Sequence, residues 1–388
     1  MLLLPILAMH INEKLIDMKN TQYGFSLIEL MLGLVIGLIA TLVITNVFTK
    51  FEQQKRVTTG GADAQTNGAI ALYTMRREIE NAGFGLPLFD EDVTPLQCPM
   101  NLTFDHDNTG LTPEIGISPL VITDGGANSD SVVVRSGSTM KSGANVRIAS
   151  VPDSATPKIQ VDTVLGCTKN DTALIMEVSA TTPRCAMGRV AEITPLTQVI
   201  RISNISTTSN AVPVQPEYML ACLGGWNETN FTLSGNQLMR SGGYAAAASL
   251  DASPTASALS FPVVSDIVSI QAQYGVSPIQ TSNTVTEWVN ATGIWAPAAL
   301  SVGNRNRIKA VRVAVVARNP LQERVVVSQN CDGATNGLAK VCVWGDTTNV
   351  NLTADANWQN YRYKVYETVV PLRNVLWNRK ALCGGLPC

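Results

Sequence analysis

The chain has 388 residues, 45% of them apolar, enough to bury a sizeable core and to hold two domains. Its formal net charge is only -2, and Lys and Arg never run beyond pairs, so it lacks the dense positive field of a nucleic-acid-binding surface. The only histidines are His10 and His106 and there is no phosphate loop of the Walker type, so the usual catalytic triads cannot be assembled: the composition points away from an enzyme and calls for no cofactor and no metal.

Residues 1–24 form a leader. Its first eleven residues, MLLLPILAMHI, are apolar but too short to span a bilayer, and a start at Met18 would leave the short polar leader Met18-Lys19-Asn20-Thr21-Gln22-Tyr23-Gly24. From Phe25 to Phe48 follows FSLIELMLGLVIGLIATLVITNVF, 24 residues with one charge. At about 1.5 Å per residue this run reaches across a bilayer core, and it lacks the polar stripe that a buried helix of a soluble protein would show. The order of polar leader, small residue and apolar helix is the reverse of a secretory signal peptide, whose apolar part precedes its cleavage site. The single charge, Glu29, costs on the order of 2 to 3 kcal/mol inside a membrane segment and therefore calls for a partner. Gly33 and Gly37 make a G-x-x-x-G pair through which a second helix could approach, although glycines are also common in membrane helices for blander reasons.

Residues 49–83 continue as helix into the globular domain, with Leu72, Met75 and Ile79 on one face, Arg76 four residues before Glu80, and an end at Gly83. Because each glycine costs about 1 kcal/mol relative to Ala in a helix, the pair Gly60-Gly61 predicts a break or bend.

From residue 84 to 388 the pattern changes to short β-like runs separated by Gly, Pro, Ser, Asn and Asp, which predicts a β-rich antiparallel domain, and the cysteines discussed below make it an extracytoplasmic one. The clearest strands are Val268 to Tyr274, whose alternation predicts a half-buried strand, Val311 to Val315, and Tyr361 to Val369; earlier ones are Val132 to Arg135, Lys158 to Val164, Ala173 to Val178 and Val199 to Ile202. The Ala/Ser-rich stretch Gly242 to Ser260 has no amphipathic period and reads as a linker between two sheet portions. Asp105-His106-Asp107-Asn108-Thr109-Gly110 starts like a calcium loop but puts Gly116 where the bidentate Glu belongs, so it reads as a polar turn. The tryptophans fit core or rim packing better than a binding surface.

All eight cysteines lie beyond residue 90 in an even number and outside any CxxC motif, which suits disulfides in an oxidising compartment better than zinc. Short, Gly-rich separations favour Cys383–Cys388 and Cys331–Cys342; Cys167–Cys185 comes next, leaving Cys98–Cys222.

The run Gly24-Phe25-Ser26-Leu27-Ile28-Glu29-Leu30 resembles the type IV prepilin signature. The helix end MRREIENAGFG at residues 75–85, the strand DSVVVR at 130–135, and the runs IVSIQAQYGV at 267–276, IKAVRVAVVAR at 308–318 and YKVYETVVPLRN at 363–374 are similar to the PilW family of minor pilins. That resemblance implies an α+β pilin-like fold, with a long N-terminal helix, membrane-spanning in its first half, packed on an antiparallel sheet-rich domain. It implies cleavage between Gly24 and Phe25 by a prepilin peptidase, N-methylation of Phe25, and pairing of Glu29 with the terminal amine of a neighbouring subunit. The partners it implies are other minor pilins, the major pilin, the prepilin peptidase, the inner membrane before assembly and a tip adhesin, with roles in pilus assembly, adhesion and twitching. A minor pseudopilin of a type II secretion system shares the same leader, helix and sheet and stands as the alternative. Two departures from the family pattern are the acid-free segment Ser277 to Thr286, which argues against a metal site there, and the absence of a proline late in the membrane helix, where Asn46 stands.

Overall fold

The computed structural model describes residues 24–87, 96, 98, 103–104, 114–115, 117–138, 145–153, 157–177, 184–207, 214–244, 260–334, 337–345 and 348–376. The chain divides into two compact units, Met1–Arg56 and Val57–Cys388. One helix, α1 (Leu27–Glu80), crosses that division.

Within the second unit α1 buries one face in steps of four and three: Gly60, Ala64, Gly68, Ala71, Met75 and Ile79 are all buried. That spacing puts them on a single stripe. Complete burial of Met75 and Ile79 contributes about 2 kcal/mol each. The helix runs without a break through Gly60-Gly61, contrary to the bend expected there. The reason lies in what the glycines face: a Cβ at Gly60 would overlap the Asn319 carboxamide, and one at Gly68 would overlap the Tyr366 ring and press on Ala317. These glycines lower helix propensity in exchange for a close approach of the helix backbone to the sheet. The helix ends at Glu80, and Gly83, at φ +74°, turns the chain while its N–H donates to the Arg135 carbonyl at 2.8 Å.

After a two-residue pair, β1 (Thr103–Phe104) with β2 (Glu114–Ile115), come β3 (Leu120–Thr123) and β4 (Ser131–Gly137). A barrel follows, built from β5 (Asn145–Asp153), β6 (Lys158–Val161), β7 (Thr172–Met176), β8 (Cys185–Thr194), β9 (Val199–Thr207) and β10 (Met219–Gly224), closed in the order β10-β5-β6-β9-β8-β7. Its interior is its own core, including Val146, Ile148, Ile159, Val161, Ile175, Val190, Ile200 and Leu220. The chain then returns in β11 (Trp226–Ser234), which pairs directly with β4 from Trp226↔Gly137 to Phe231↔Val132. The barrel is thus inserted between two neighbouring strands. Its ends are held side by side, the Ser138 N–H donating to Leu223 O at 3.1 Å and the Gly225 N–H to Ser138 Oγ at 2.7 Å.

β12 (Gln237–Tyr244) and β13 (Phe261–Ser265) complete a five-stranded sheet, β13-β12-β11-β4-β3. The stretch read as a linker between sheet portions therefore begins inside β12 and joins paired neighbours of one sheet; its residues 245–259 lie outside the described residues. The change of sheet occurs later, at Asp266, a left-handed residue at φ +60° whose carbonyl accepts from the Arg318 N–H at 2.8 Å.

Beyond Asp266, β14 (Ile267–Val276), β15 (Glu287–Val289), the short helix α2 (Val302–Arg307) and β16 (Ile308–Arg318) lead to a small three-stranded sheet of β17 (Ser328–Asn330), β18 (Ala339–Val343) and β19 (Thr348–Asn349). β20 (Tyr363–Pro371) and α3 (Arg373–Leu376) close the described chain. β14, β15, β16 and β20 form a four-stranded antiparallel sheet, β15-β14-β16-β20. Ile270, Tyr274, Val311, Val313 and Val315 share one core with the α1 stripe and with Ile122, Val132 and Phe231 of the five-stranded sheet. On the opposite face Ala314 and Val316 pack with Val341, Val343, Trp344 and Trp358. β14 is consequently covered on both faces rather than half-buried: Ser269 and Gln271 are buried, and the Gln271 Nε2 donates to Asn128 O at 2.7 Å.

Asp130 ties the two sheets together. Its carboxylate accepts the Gly125 N–H at 2.8 Å and the Ala272 N–H at 2.7 Å. Burial pushes its pKa up to about 6, opposed by those two bonds and reinforced by Asp124. Nearby the Ile122 N–H donates to the Tyr274 hydroxyl at 2.6 Å, and burial raises that phenol above its ordinary range.

The structure joins Cys331 to Cys342, and it corrects two of the expected disulfides: the pairs are Cys98–Cys185 and Cys167–Cys222, with Cα separations of 5.7 and 5.2 Å. The barrel explains the exchange. Met176↔Cys185 places Cys185 at the far end of the β7–β8 hairpin, whereas Cys167 leads into Thr172 at the near end, beside Cys222, which pairs with Ala173. Cys383 and Cys388 lie outside the described residues, as does the segment Asp105 to Gly110. Trp226, Trp295, Trp344 and Trp358 are buried, in keeping with packing.

Candidate functional site

Gly24, Phe25 and Ser26 are non-helical, and the Ser26 carbonyl accepts the N–H groups of Glu29 at 3.0 Å and Leu30 at 3.1 Å to start α1. The exposed Glu29 sits in the first helical turn, where the backbone dipole favours a carboxylate, and it has no cationic partner among the described residues. Leu27–Glu52 has a mean hydropathy of 2.7 over its best stretch, is long and apolar enough to cross a membrane, and is not buried by the protein. An apolar helix surface of this size, exposed among the described residues, suits lipid or the company of other helices.

Inside that helix the polar side chains turn back on the backbone. The Thr41 hydroxyl donates to Gly37 O at 2.7 Å, Thr49 to Asn46 O at 3.0 Å, and Thr45 to Thr41 O. They therefore carry few unmet hydrogen bonds into an apolar phase. Glu29 and Asn46 make no such bond among the described residues, and Glu29 is the one that carries a charge within Phe25–Phe48. A Cβ on Gly33 or Gly37 would meet nothing within 4 Å, so among the described residues the notch they form has no partner and leaves room for another helix. These residues offer no catalytic constellation; what the segment presents is a non-helical lead-in at Gly24–Ser26, a carboxylate at Glu29 without a cationic partner among the described residues, and an exposed apolar helix.

The sequence reading missed the second set of residues that makes the helix usable by the domain, the buried stripe Gly60, Ala64, Gly68 and Ala71. The signal was present as small residues four, four and three apart, the spacing of one helix face, but Gly60-Gly61 was read as a helix breaker.

The family described as Type IV Pilus-assembly protein W matches residues 232–374, which hold the end of the five-stranded sheet and all of the four- and three-stranded sheets. The Prokaryotic N-terminal methylation motif matches residues 19–45, the junction and the start of the apolar helix. The barrel lies outside both matches. No curated protein and no solved structure matches the chain. With the methylation motif at the head of its apolar helix and the W-protein match across its C-terminal sheets, the chain is similar over these two segments to PilW-family, prepilin-type pilins.

Proposed function

We propose that the protein is a minor pilin that enters the initiating or tip complex of a type IV pilus after prepilin peptidase has cut between Gly24 and Phe25. The observation that carries this reading is Glu29: a lone carboxylate in the first turn of a helix that the protein leaves uncovered, four residues beyond the amine that cleavage would create. In lipid the charge is costly; in a bundle of such helices the terminal amine of a neighbouring subunit neutralises it. The prepilin peptidase, the other minor pilins, the major pilin and a tip adhesin are the partners this role requires, with the inner membrane holding the chain before assembly. A β-rich domain of this bulk suits a low-copy position better than a repeating one.

The test is Glu29→Ala. The variant should still be cut and inserted in the membrane, while its recovery in sheared pili falls about tenfold or more, the effect of losing roughly 1.4 kcal/mol or more of pairing. Recovery in pili equal to that of the unaltered chain contradicts the role assigned to Glu29.

A further inference from the structure

The edge of an open sheet carries a row of backbone N–H and C=O groups with no strand to meet them, and such edges are normally blunted. The five-stranded sheet ends in β13 and β3, the four-stranded sheet in β15 and β20. On β3 the Ile122 N–H is taken up by the Tyr274 hydroxyl at 2.6 Å, β13 contains Pro262, which has no N–H to give, and β15 is only three residues long. β20 is nine residues long and has none of these devices before Pro371 at its end.

The register identifies the free groups. β20 pairs with β16 without a shift from Ala310↔Pro371 to Arg318↔Tyr363, and the bonds just beyond each end, Leu372 N–H to Lys309 O at 3.0 Å and Asn319 N–H to Arg362 O at 2.8 Å, fix the phase. Even-numbered residues of β20 therefore bond to β16, while Val365, Glu367 and Val369 turn their N–H and C=O groups outward, where they meet no partner among the described residues. The strand is open to solvent there: Glu367 and Pro371 are exposed, and Val369 is 55% exposed. Donors and acceptors repeating every about 6.8 Å fit the backbone of another extended chain and not a glycan, a lipid or a nucleic acid. Charge then decides whose chain it is. Lys364 is exposed and has no acidic partner among the described residues. In two-fold antiparallel pairing with a second copy, even-numbered residues face even-numbered ones, so Lys364 meets another Lys364, Tyr366, Thr368 or Val370 and never an acid. A different chain carries no such restriction.

We propose that the β20 edge takes up, as an added strand, an extended segment of a different prepilin-type subunit, bonded to the outward groups of Val365, Glu367 and Val369 and carrying an acidic residue beside Lys364. The proposal rests on the pilin reading and adds to it the face that meets a partner.

The experiment places the photo-crosslinking residue p-benzoylphenylalanine at Val369 in the full chain, expressed in its own cells, and maps the adduct by mass spectrometry. The expected adduct is a segment of another prepilin-type protein that contains Asp or Glu. Glu367→Pro deletes one outward N–H that Glu367→Ala keeps, so the yield should be about fivefold lower with Pro than with Ala. Lys364→Glu, at an exposed position that leaves the fold intact, should lower the yield about threefold, and replacing the facing acid by Lys should restore it. This second variant decides the matter where Glu367→Pro fails to fold. No adduct, an adduct within the same molecule, to a second copy, to a glycan or to a lipid, equal yields from folded Glu367→Pro and Glu367→Ala chains, or a yield indifferent to Lys364→Glu overturns the proposal. N-terminal mass of the same sample keeps the two claims apart: a chain cut at Phe25 and recovered in pili without the adduct defeats the edge alone, whereas an uncut chain defeats the pilin reading and the edge with it.

Discussion

The C-terminal sheets and the inserted barrel solve the same problem in different ways. In the four-stranded sheet, β14 and β16 are buried on both faces, under α1 on one side and the small three-stranded sheet on the other, so stability there comes from layers supplied by distant parts of the chain. The barrel closes on itself around its own core and is stapled by Cys167–Cys222, with Cys98–Cys185 fastening residue 98 to its wall. The sheets fall within the region shared with the W-protein family, and the barrel does not. An insertion whose two ends are hydrogen-bonded side by side can be accommodated between β4 and β11 without disturbing their pairing, as surface insertions with adjacent ends are. The layered part therefore contains the stretch matched by the family model, and the closed part lies outside it.

That contrast breaks first at the disulfides. Removing Cys98–Cys185 by replacing both residues with Ala should cost about 4 kcal/mol in the chain-entropy account, because the closed loop is long, with a sequence separation of 87. Urea unfolding with hydrogen exchange should locate the loss of protection in residues 145–224, with β14 and β16 keeping theirs. Equal loss in both regions would show that the barrel is not a separate cooperative unit.

Gly68→Leu tests the other side. The new side chain collides with the Tyr366 ring and Ala317, so a loss of about 3 kcal/mol should appear in the helix and the four-stranded sheet while the barrel remains protected. A neutral outcome would mean that the small-residue stripe does not set the helix-to-sheet distance.

Asp130 sharpens the account of how the sheets are joined. Its pKa is raised from 3.8 to about 6 by burial, so the folded chain takes up this proton before the unfolded one does. The contribution is fully present below the unfolded value and is lost as pH rises through about 6. From about pH 7 down to about pH 4.5, stability relative to Asp130→Asn should therefore rise by about 2 kcal/mol, read from paired denaturation curves. A constant difference across that range would mean that the carboxylate is not desolvated.

Much of the scaffold was legible in the sequence because its signals are local. The alternation in Val311, Val313 and Val315 and in Val268 to Tyr274 marked β16 and β14, and the apolar run after Gly24 marked the helix. The barrel was not legible as a barrel, although Lys158, Ala173 and Val199 opened recognisable strands, because closure depends on β10 meeting both β5 and β7, pairings distant in sequence that periodicity does not encode. The disulfide pairs failed for the same reason: short separation was a sound guide for Cys331–Cys342, where the loop alone decides, and a poor one where the β7–β8 hairpin carries Cys167 and Cys185 to opposite ends. At the junction, Glu29, Gly33 and Gly37 were legible because a charge and a notch in an apolar run stand out without any tertiary context. The open edge of β20 was not, since a strand becomes an edge only through the order in which the whole sheet pairs.

The most direct test of the pilin reading is the mass and sequence of the N-terminus of the protein recovered from sheared pili. The account predicts a chain that begins at Phe25 and carries one methyl group on its amine; a chain from pili beginning anywhere else, or a protein that remains uncut in the membrane and never reaches the pilus, contradicts it.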